Sequence, residues 1–286
     1  MQTRVSLLRF LLTAAPLLTA ACGGASDQRE REACVDTAPP VVVSVDGRYL
    51  SVDATEVTNG QFADFVDATG YVTRAERGLP EARFDGLPMT ARRPASAVFT
   101  PVPGTESLDP SRWWRLVEGA SWRAPEGPGS TIEDRGSHPV VHVTVADAAA
   151  YAAWRGRRLP TAAEWEAAAG GPVARVAPDE GAANTWRGVF PVLDRPTDGH
   201  AGLAPVGCYP PGPNGLHDVV GNVWELTTTP AGNGAVEIRG GSYLCAANYC
   251  SNYLPQGREA QDVTLGTSHV GFRTVADLPA PAGDDA

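Results

Sequence analysis

The stretch RGGSYLCAANYC, residues 239–250, places two cysteines five positions apart in a segment with no helical or strand period. The chain has only five cysteines in 286 residues, so a pair this close needs a reason. A disulfide between Cys245 and Cys250 would restrict the unfolded chain by only about 2 kcal/mol, because the loop is short. Two thiolates also form a soft site that selects Cu(I) over hard cations. A plain disulfide and redox or copper chemistry therefore both stay open for this pair.

Two of the other cysteines lie much further apart. A disulfide between Cys34 and Cys208 would close a loop near the full length of the domain. In the chain-entropy model such a bridge is worth about 5 kcal/mol, provided that the geometry allows it. This pair is therefore the better position for a stabilising crosslink.

The N-terminus has the features of an export signal. Arg4 and Arg9 precede an apolar run, residues 10–21, which contains Pro16 and is too short to span a bilayer. The run closes as LTAAC, which is typical of a bacterial lipoprotein signal over residues 1–21 with lipid on Cys22. An ordinary cleaved signal is the alternative. Either way we expect an exported protein, periplasmic or at the cell surface, that contacts the membrane only through an N-terminal lipid.

The charge of the exported chain excludes several functions. Removing residues 1–21 takes two of the 23 basic residues and no acid, which leaves 21 arginines against 33 acids, a net charge of −12. This balance argues against a nucleic-acid partner and a basic membrane patch. The chain contains no lysine. Schiff-base catalysis and a phosphate-loop lysine are therefore excluded.

The rest of the chain predicts one α+β domain with little regular secondary structure. Small, charged residues over 22–40 indicate a flexible tether, residues 41–277 suit a single domain, and 278–286 form a disordered tail. Asp46-Gly47 predicts a hairpin within residues 41–52. Three capping patterns predict helices that begin after Thr58, Thr144 and Thr161. Glycine and proline make up 56 residues along the whole chain, so much of the domain is ordered loop.

Loops of this kind need an internal brace, for which calcium is suited in exported proteins. Asn184 and Asp198 lie in one glycine-containing segment, and Asp218 and Glu225 lie in another, DVVGNVWE. Carboxylates, amide oxygens and backbone carbonyls are the hard ligands that Ca²⁺ prefers. From spacing alone this pattern is weak, because surface acids in loops are commoner than calcium ligands.

Several segments in order resemble the formylglycine-generating enzymes, the sulfatase-modifying factor family. The C-terminal part carries GNVWE (221–225), RGGSYLCAANYC (239–250) and GFR (271–273). Upstream, DATEVTNGQFADFVDATGY (53–71) and GRRLPTAAEWE (156–166) match as well. The resemblance implies a compact, loop-rich fold related to C-type lectin domains.

The resemblance also implies an activity and a set of residues. The activity is oxygen-dependent oxidation of a cysteine in a Cys-x-Pro-x-Arg segment of a sulfatase-type client to Cα-formylglycine. Cys245 and Cys250 would bind Cu(I), with the client thiolate as a third ligand and O2 as co-substrate. Ser242 and Trp224 match positions beside the oxygen pocket. The implied structural Ca²⁺ ligands are Asn184, Thr185, Asp198 and His200 in a first site, and Asp218, Gly221, Val223 and Glu225 in a second.

Some positions depart from the family pattern. Ala246 stands where the best-known members have a histidine after the first cysteine, and VVVSVDGRYLSV (41–52) replaces the usual opening strand. Relatives without activity share the fold and the GFR ending, and fold alone does not give function. The alternative is therefore a noncatalytic exported binding or structural module in which Cys245 and Cys250 form a disulfide.

Overall fold

The computed structural model describes residues 34–35, 38–78, 93–100, 109, 112–171, 181–250, 254 and 256–280. These residues all belong to one compact unit, Cys34–Ala286. The predicted export signal, the predicted lipidation site at Cys22 and most of the predicted tether lie outside the described residues. None of the helices in the described part of the chain is long and apolar enough to cross a membrane.

The three predicted helices are confirmed, and each begins directly after its predicted capping residue. In each capping box the threonine pairs with the residue three positions further on. The threonine hydroxyl accepts from the backbone N–H of that residue, and the side chain of that residue accepts from the threonine N–H. A one-turn helix was not predicted, although Thr73 and Glu76 form the same box. The described helices are α1 (Asn59–Thr69), α2 (Arg74–Arg77), α3 (Val145–Trp154) and α4 (Ala162–Ala168).

The strands of the described residues form four small sheets rather than one large one. Their bounds are β1 (Val41–Val45), β2 (Arg48–Val52), β3 (Ala95–Phe99), β4 (Trp114–Glu118), β5 (Gly188–Val189), β6 (Leu193–Asp194), β7 (Trp224–Gly232), β8 (Ala235–Arg239), β9 (Arg258–Asp262), β10 (Val270–Gly271) and β11 (Val275–Leu278). The sheets have the orders β1-β2-β11, β10-β7-β8-β9, β3-β4 and β5-β6. The predicted hairpin is confirmed: β1 and β2 are antiparallel, and Asp46 and Gly47 both have positive φ, as a tight hairpin turn requires.

The main core lies where α1 and α3 cover the β7 sheet. Phe62 of α1 is fully buried and packs edge-on against Trp122 at 5.1 Å and beside Tyr151 of α3 at 5.9 Å. A second core joins α4 to the β1-β2-β11 sheet through Trp165 and Leu50. Short helices and strands with long loops therefore make one α+β domain, and the predicted fold class is confirmed.

The segment before β1 is joined to the domain. Cys34 forms a disulfide with Cys208, and the Val35 N–H donates to the carbonyl of Gly207 at 3.1 Å. A side chain at Gly207 would meet the Val35 carbonyl oxygen, so the close approach requires glycine. The predicted tether over 22–40 therefore does not extend freely to residue 40, because a crosslink and a backbone hydrogen bond fix residues 34 and 35.

Candidate active site

Both cysteines of the opening stretch line a cavity of about 460 Å³. A cavity of this size lies in the usual range for small-ligand sites. The residues that line it are Ala97, Trp114, Phe190, Trp224, Ile238, Ser242, Leu244, Cys245, Tyr249, Cys250, Glu259, Ala260, Gln261, Leu265, Thr267 and His269. The structure thus brings together the four residues predicted to act in catalysis, Trp224, Ser242, Cys245 and Cys250.

Backbone contacts to distant loops hold the segment after β8 in place. The Tyr243 N–H donates to the Asn222 carbonyl at 2.9 Å, and the Cys245 carbonyl accepts from the Trp186 N–H at 3.0 Å. Gly240 has φ +93°, and a Cβ there would lie 3.2 Å from the ring of Trp165. Glycine therefore lets this segment turn tightly over a buried tryptophan.

The cysteine pair spans the boundary between core and cavity. Cys245 is fully buried, whereas Cys250 is half-buried and has φ +55°. Between them, Ala246 and Tyr249 exchange backbone hydrogen bonds of 2.7 and 3.1 Å, which closes a tight turn. The structure joins the two sulfur atoms as a disulfide, with Cα atoms 4.9 Å apart. The short loop therefore holds two sulfurs together at the surface of a cavity.

Ser242 and Trp224 lie on the inner side of the same cavity. Ser242 is fully buried, its hydroxyl accepts from the Leu244 N–H at 3.2 Å, and its carbonyl accepts from the Cys245 N–H at 2.9 Å. Trp224 is the first residue of β7, and its N–H donates to the carbonyl of His269. The cysteine segment itself therefore fixes Ser242, and the contact with the residue before β10 fixes the backbone of Trp224.

Aromatic rings form one wall of the cavity. Phe190 and Tyr249 stack with ring centroids 4.4 Å apart and an interplanar angle of 6°. Trp113 packs edge-on against both rings, at 4.9 and 5.0 Å. The Asn248 side chain accepts from the N–H of Phe190 and donates to its carbonyl, which ties the cysteine turn to the β5-β6 hairpin.

His269 and Glu259 line the cavity too, and neither was predicted. Burial lowers the pKa of His269 to about 3, and His142 adds to this effect, so the imidazole is neutral. Its ring lies 4.6 Å from that of Trp114. Glu259 is an exposed residue of β9 and is the one acid among the described residues that line the cavity. Both lie well beyond the cysteine stretch, and no motif marked them.

The first predicted calcium site contains an unsatisfied carboxylate oxygen. Asp198 is buried; its Oδ2 accepts from the Thr185 N–H at 3.0 Å and lies 3.4 Å from Nε of Arg187. Its Oδ1 is buried without a hydrogen-bond partner. A buried, unpaired carboxylate oxygen is costly unless a cation or donor meets it. The residues of this site therefore fit a hard cation.

The two predicted calcium sites are directly connected. Asn184 of the first site and Gly221 of the second form a parallel bridge, and the Asn184 carbonyl accepts from the Asn222 N–H at 2.9 Å. Gly221 has φ +84°, and a Cβ there would collide with the Asn184 carbonyl oxygen. Only glycine permits this contact.

The second predicted calcium site is divided between two environments. Asp218 is buried, its Oδ2 accepts from the Gly207 N–H at 2.6 Å, and its Oδ1 has no partner. Glu225, in contrast, forms a buried ion pair with Arg273 and also accepts from Trp165 Nε1 at 2.7 Å. Asp218 therefore fits a cation, whereas the charge of Glu225 is already matched by a guanidinium.

Further buried charge surrounds this second site. Glu56 is fully buried and accepts from the Asn222 side chain at 3.2 Å. Burial raises the pKa of Glu56 well above its usual range, and Asp218 and Glu225 add to the effect. Burial raises the pKa of Asp218 to about 6. Sequence reasoning missed both Glu56 and the pairing of Arg273, although GFR was recognised as a motif.

No group of three or more His, Cys, Asp or Glu side chains converges as a metal site among the residues that the structure describes. The cysteine pair therefore supplies two soft donors, and the predicted calcium sites depend on amide and backbone oxygens besides their carboxylates.

The chain resembles proteins of one family over nearly its whole length. The family model described as "Sulfatase-modifying factor enzyme 1-like domain" matches residues 15–278. The chain is 42% identical over 275 residues to a formylglycine-generating enzyme of Mycobacterium tuberculosis, covering 85% of this chain and 91% of that one. It is 38% identical over 248 residues to an "Inactive C-alpha-formylglycine-generating enzyme 2" of Mus musculus, covering 82% and 77%.

A solved structure supports the fold independently. PvdO from Pseudomonas aeruginosa matches with a TM-score of 0.52 at 19% identity, covering 81% of this chain and 82% of that one. At this identity the likeness shows the fold alone.

Proposed function

The chain belongs to the family of sulfatase-modifying factor enzymes, and from that premise we propose that it converts a cysteine of a sulfatase-type client into Cα-formylglycine. The client cysteine lies in a Cys-x-Pro-x-Arg segment. The oxidant is O2, and the reaction turns the thiol-bearing carbon of the side chain into an aldehyde. With two electrons and two protons from a thiol reductant, the products balance as the aldehyde, hydrogen sulfide and water.

The observation that carries this proposal is the position of the cysteine pair. A relative named as a formylglycine-generating enzyme is 42% identical to the chain and one named as inactive is 38% identical, so overall identity does not separate the two functions. Cys245 and Cys250 lie with adjacent sulfurs at the wall of a cavity large enough for a peptide side chain. Reduction of this disulfide would place two thiolates where a third thiolate, from the client, can reach them.

Reduced Cys245 and Cys250 would hold Cu(I), which suits the donor set. Thiolates are the soft ligands that Cu(I) prefers, and the cavity offers no cluster of hard ligands in its described lining. When bound, the metal would supply activation of O2. Two protein ligands leave a position for the client thiolate.

The chain's own residues would orient the client and exclude water. Trp224 and Leu244 give the cavity an apolar inner surface, and Ser242 adds a hydroxyl that is fixed by the Leu244 N–H. We assign Trp224 and Ser242 to the oxygen-binding side of the cavity. His269 is neutral and therefore adds no charge that would repel or trap the client.

Calcium is proposed as a structural ion. Asn184, Thr185, Asp198 and His200 would hold one ion, with Thr185 and His200 acting through their carbonyls. The bare Oδ1 of Asp198 supports this site. The second ion would be held by Asp218, Gly221, Val223 and Glu225. Oδ1 of Asp218, which has no hydrogen-bond partner, supports this site. The ion pair of Glu225 with Arg273 competes with it.

The place of action is proposed from the N-terminal sequence. Export, with lipid attachment at Cys22, would put the enzyme outside the cytoplasm, where it would meet a client that has not yet folded. The Cys34–Cys208 disulfide is compatible with an oxidising compartment.

One observation favours a second candidate function. The structure records Cys245 and Cys250 as a disulfide, which cannot ligate copper. If the pair stays oxidised, the chain is a noncatalytic binding or structural module of the same fold.

Copper binding and turnover separate the two functions. The exported domain is reduced, loaded with Cu(I), mixed with a Cys-x-Pro-x-Arg peptide and exposed to O2, and the peptide mass is followed. We expect about one Cu(I) per chain and the mass change of aldehyde formation. Cys245→Ser and Cys250→Ser should each abolish turnover and tight copper binding, because a hydroxyl is a hard, neutral ligand.

Cys208→Ser is the matched control, since it also replaces a disulfide-bonded cysteine by serine but lies outside the described cavity lining. It should retain copper binding and turnover. A parent protein that binds no Cu(I) and leaves the peptide mass unchanged would establish the noncatalytic module instead.

A further inference from the structure

We propose that the Cys34–Cys208 disulfide controls calcium binding, because it fixes a short segment that contacts both predicted calcium sites. The segment is residues 207–209, with the bridged Cys208 at its centre. The inference rests on the calcium sites of the proposed function and adds the regulation of their affinity. The intact bridge keeps the ligands of both sites in place, and reduction of the bridge weakens calcium binding.

Gly207, on one side of the bridged cysteine, orients a carboxylate of the second site. Its N–H donates to Oδ2 of Asp218 at 2.6 Å, and Oδ1 of Asp218 stays buried without a hydrogen-bond partner. The Gly207 carbonyl in turn accepts from the N–H of Val35, the residue after Cys34, at 3.1 Å. The two bridged segments are therefore also joined at the residue that decides which oxygen of Asp218 is available to a cation.

Tyr209, on the other side of the bridged cysteine, contacts the first site. Its hydroxyl donates to the carbonyl of Asp198 at 3.2 Å and lies 3.0 Å from Nδ1 of His200. The carbonyl of Tyr209 accepts from Nδ1 of His217 at 2.9 Å, and its side chain is buried. Asp198 also has a buried Oδ1 without a hydrogen-bond partner. One short segment therefore supports the backbone of the first site and a carboxylate of the second.

Reduction of the bridge removes the covalent restraint on this segment. Cys34 and Cys208 are both half-buried, so a small dithiol can reach the bond. The dithiol supplies two electrons and two protons, which leaves two cysteine thiols and converts the dithiol into a disulfide. Ligands that are held in position bind with little ordering cost, whereas ligands on a released segment must be ordered by the ion. The affinity for calcium therefore falls on reduction.

The redox state of the compartment then sets the calcium state of the protein. Thiols stay reduced in the cytoplasm and pair in oxidising compartments outside it. The newly made chain therefore binds calcium weakly before export, and oxidation of Cys34 and Cys208 after export completes the sites. Calcium stabilises the fold in the compartment for which the N-terminal sequence predicts delivery.

The first test is titration calorimetry with Ca²⁺ on the exported chain. The oxidised parent is compared with the paired variant Cys34→Ser with Cys208→Ser. We expect Kd to be about tenfold higher in the variant, as for the added cost of ordering a ligand. The matched control is Cys245→Ser with Cys250→Ser, which lacks the other disulfide and should bind Ca²⁺ as the parent does.

The outcomes separate the inference from the calcium sites themselves. Equal affinities in the parent and the Cys34–Cys208 variant would overturn the inference and leave the sites in place. A parent that binds no Ca²⁺ would overturn the sites and the inference together.

A second measurement needs only the parent protein. The chain is equilibrated in a dithiol redox buffer with saturating Ca²⁺ or with chelator, and its free thiols are alkylated and located by mass. Coupling between two equilibria is reciprocal, so Ca²⁺ should shift the Cys34–Cys208 equilibrium towards the disulfide by the same factor, about tenfold. Cys245–Cys250 is the internal control and should not shift. A Cys34–Cys208 equilibrium that Ca²⁺ leaves unchanged would overturn the inference.

Discussion

Asp198 shows how a single buried oxygen can point to a ligand. Its Oδ2 is held by the Thr185 N–H and lies near Arg187, while Oδ1 has no partner. Desolvating a carboxylate oxygen is costly when nothing compensates it. Glu225 is the opposite case, because three donors and the Arg273 charge satisfy it completely. At the residue scale, Asp198 therefore has an oxygen available for a cation, whereas the oxygens of Glu225 are already paired.

Removal of calcium should lower the stability of the parent. A ligand that binds the native state alone stabilises it by about 2.7 kcal/mol at a hundredfold excess over Kd. We expect a chelator to lower the melting temperature of the parent, and Asp198→Asn to reduce the size of that shift. The measurement is thermal unfolding with calcium and with chelator.

Asp134→Asn is the control for this experiment, since Asp134 is exposed. It should respond to chelator as the parent does. Identical melting curves of the parent with and without chelator would rule out both calcium sites.

At the element scale, α4 joins the β1-β2-β11 sheet to β7 through two neighbouring residues, Glu164 and Trp165. Glu164 closes the capping box with Thr161, and its carboxylate accepts from Arg158 at 2.8 and 2.9 Å and from Arg48 at 2.9 Å. Arg48 belongs to β2, so one carboxylate fixes the start of a helix to the neighbouring sheet. Trp165, the next residue, reaches Glu225 in the other direction. A seven-residue helix is too short to be stable alone, and these contacts hold it in place.

Glu164 should make the domain sensitive to acid. Burial opposes ionisation of Glu164, but the hydrogen bonds from Arg158 and from the other donors around the carboxylate outweigh this effect. Together they lower the pKa of Glu164 to about 2, against an ordinary value of 4.5. A carboxyl with a lowered native pKa stabilises the fold above its unfolded pKa, and this contribution is lost as the pH falls from 4.5 towards 2. Glu164→Gln should cost about 1–2 kcal/mol at neutral pH.

The measurement is denaturant unfolding of both proteins between pH 7 and pH 2. The difference in the free energy of unfolding should shrink as the pH falls below 4.5. Glu133→Gln, at an exposed position, should follow the parent throughout. A difference that is constant across this pH range would show that the ionised form of Glu164 does not contribute.

At the scale of the whole molecule, two disulfides have different consequences. Cys245–Cys250 spans five positions and restricts the unfolded chain by about 2 kcal/mol, whereas Cys34–Cys208 spans 174 positions and restricts it by about 5 kcal/mol. The long bridge lies next to Gly207, whose N–H holds Asp218. The bridge therefore fixes the start of the described domain beside Asp218, a predicted calcium ligand that lies far from that start along the chain.

Removing the long disulfide should destabilise the protein without affecting chemistry. The paired variant Cys34→Ser with Cys208→Ser should lower the free energy of unfolding by up to about 5 kcal/mol, because the unfolded chain regains its freedom. Copper binding and turnover should stay at the parental level. The measurement is unfolding with and without a thiol reductant, which should destabilise the variant less than the parent, because only the short Cys245–Cys250 bridge remains to be reduced. A melting temperature equal to that of the oxidised parent would contradict this role.

The local elements could be predicted from the sequence in detail. Capping boxes at Thr58, Thr144 and Thr161 involve residues three positions apart, so their hydrogen bonds form whenever the segment is helical. The Asp46-Gly47 turn follows from the same kind of local preference. The cysteine pair was recognisable for its spacing, although spacing alone left its chemistry open.

Contacts between distant segments were beyond such reasoning. Glu225 and Arg273 are 48 positions apart, and nothing in either neighbourhood indicated that the predicted calcium ligand pairs with the arginine of GFR. Glu259 likewise reaches the cavity that Tyr249 lines because β9 pairs with β8.

The sequence by itself determined where helices begin, where the first hairpin turns and which two thiols lie together, since these depend on interactions within a few residues. Only the tertiary structure decided the environment of each carboxylate. It left Oδ1 of Asp198 without a hydrogen-bond partner, paired Glu225 with the guanidinium of Arg273, and placed Glu259 at the cavity. The physical reason is that burial and long-range pairing set the cost of each charge. Both are properties of the packed chain as a whole, and no short stretch of residues contains them.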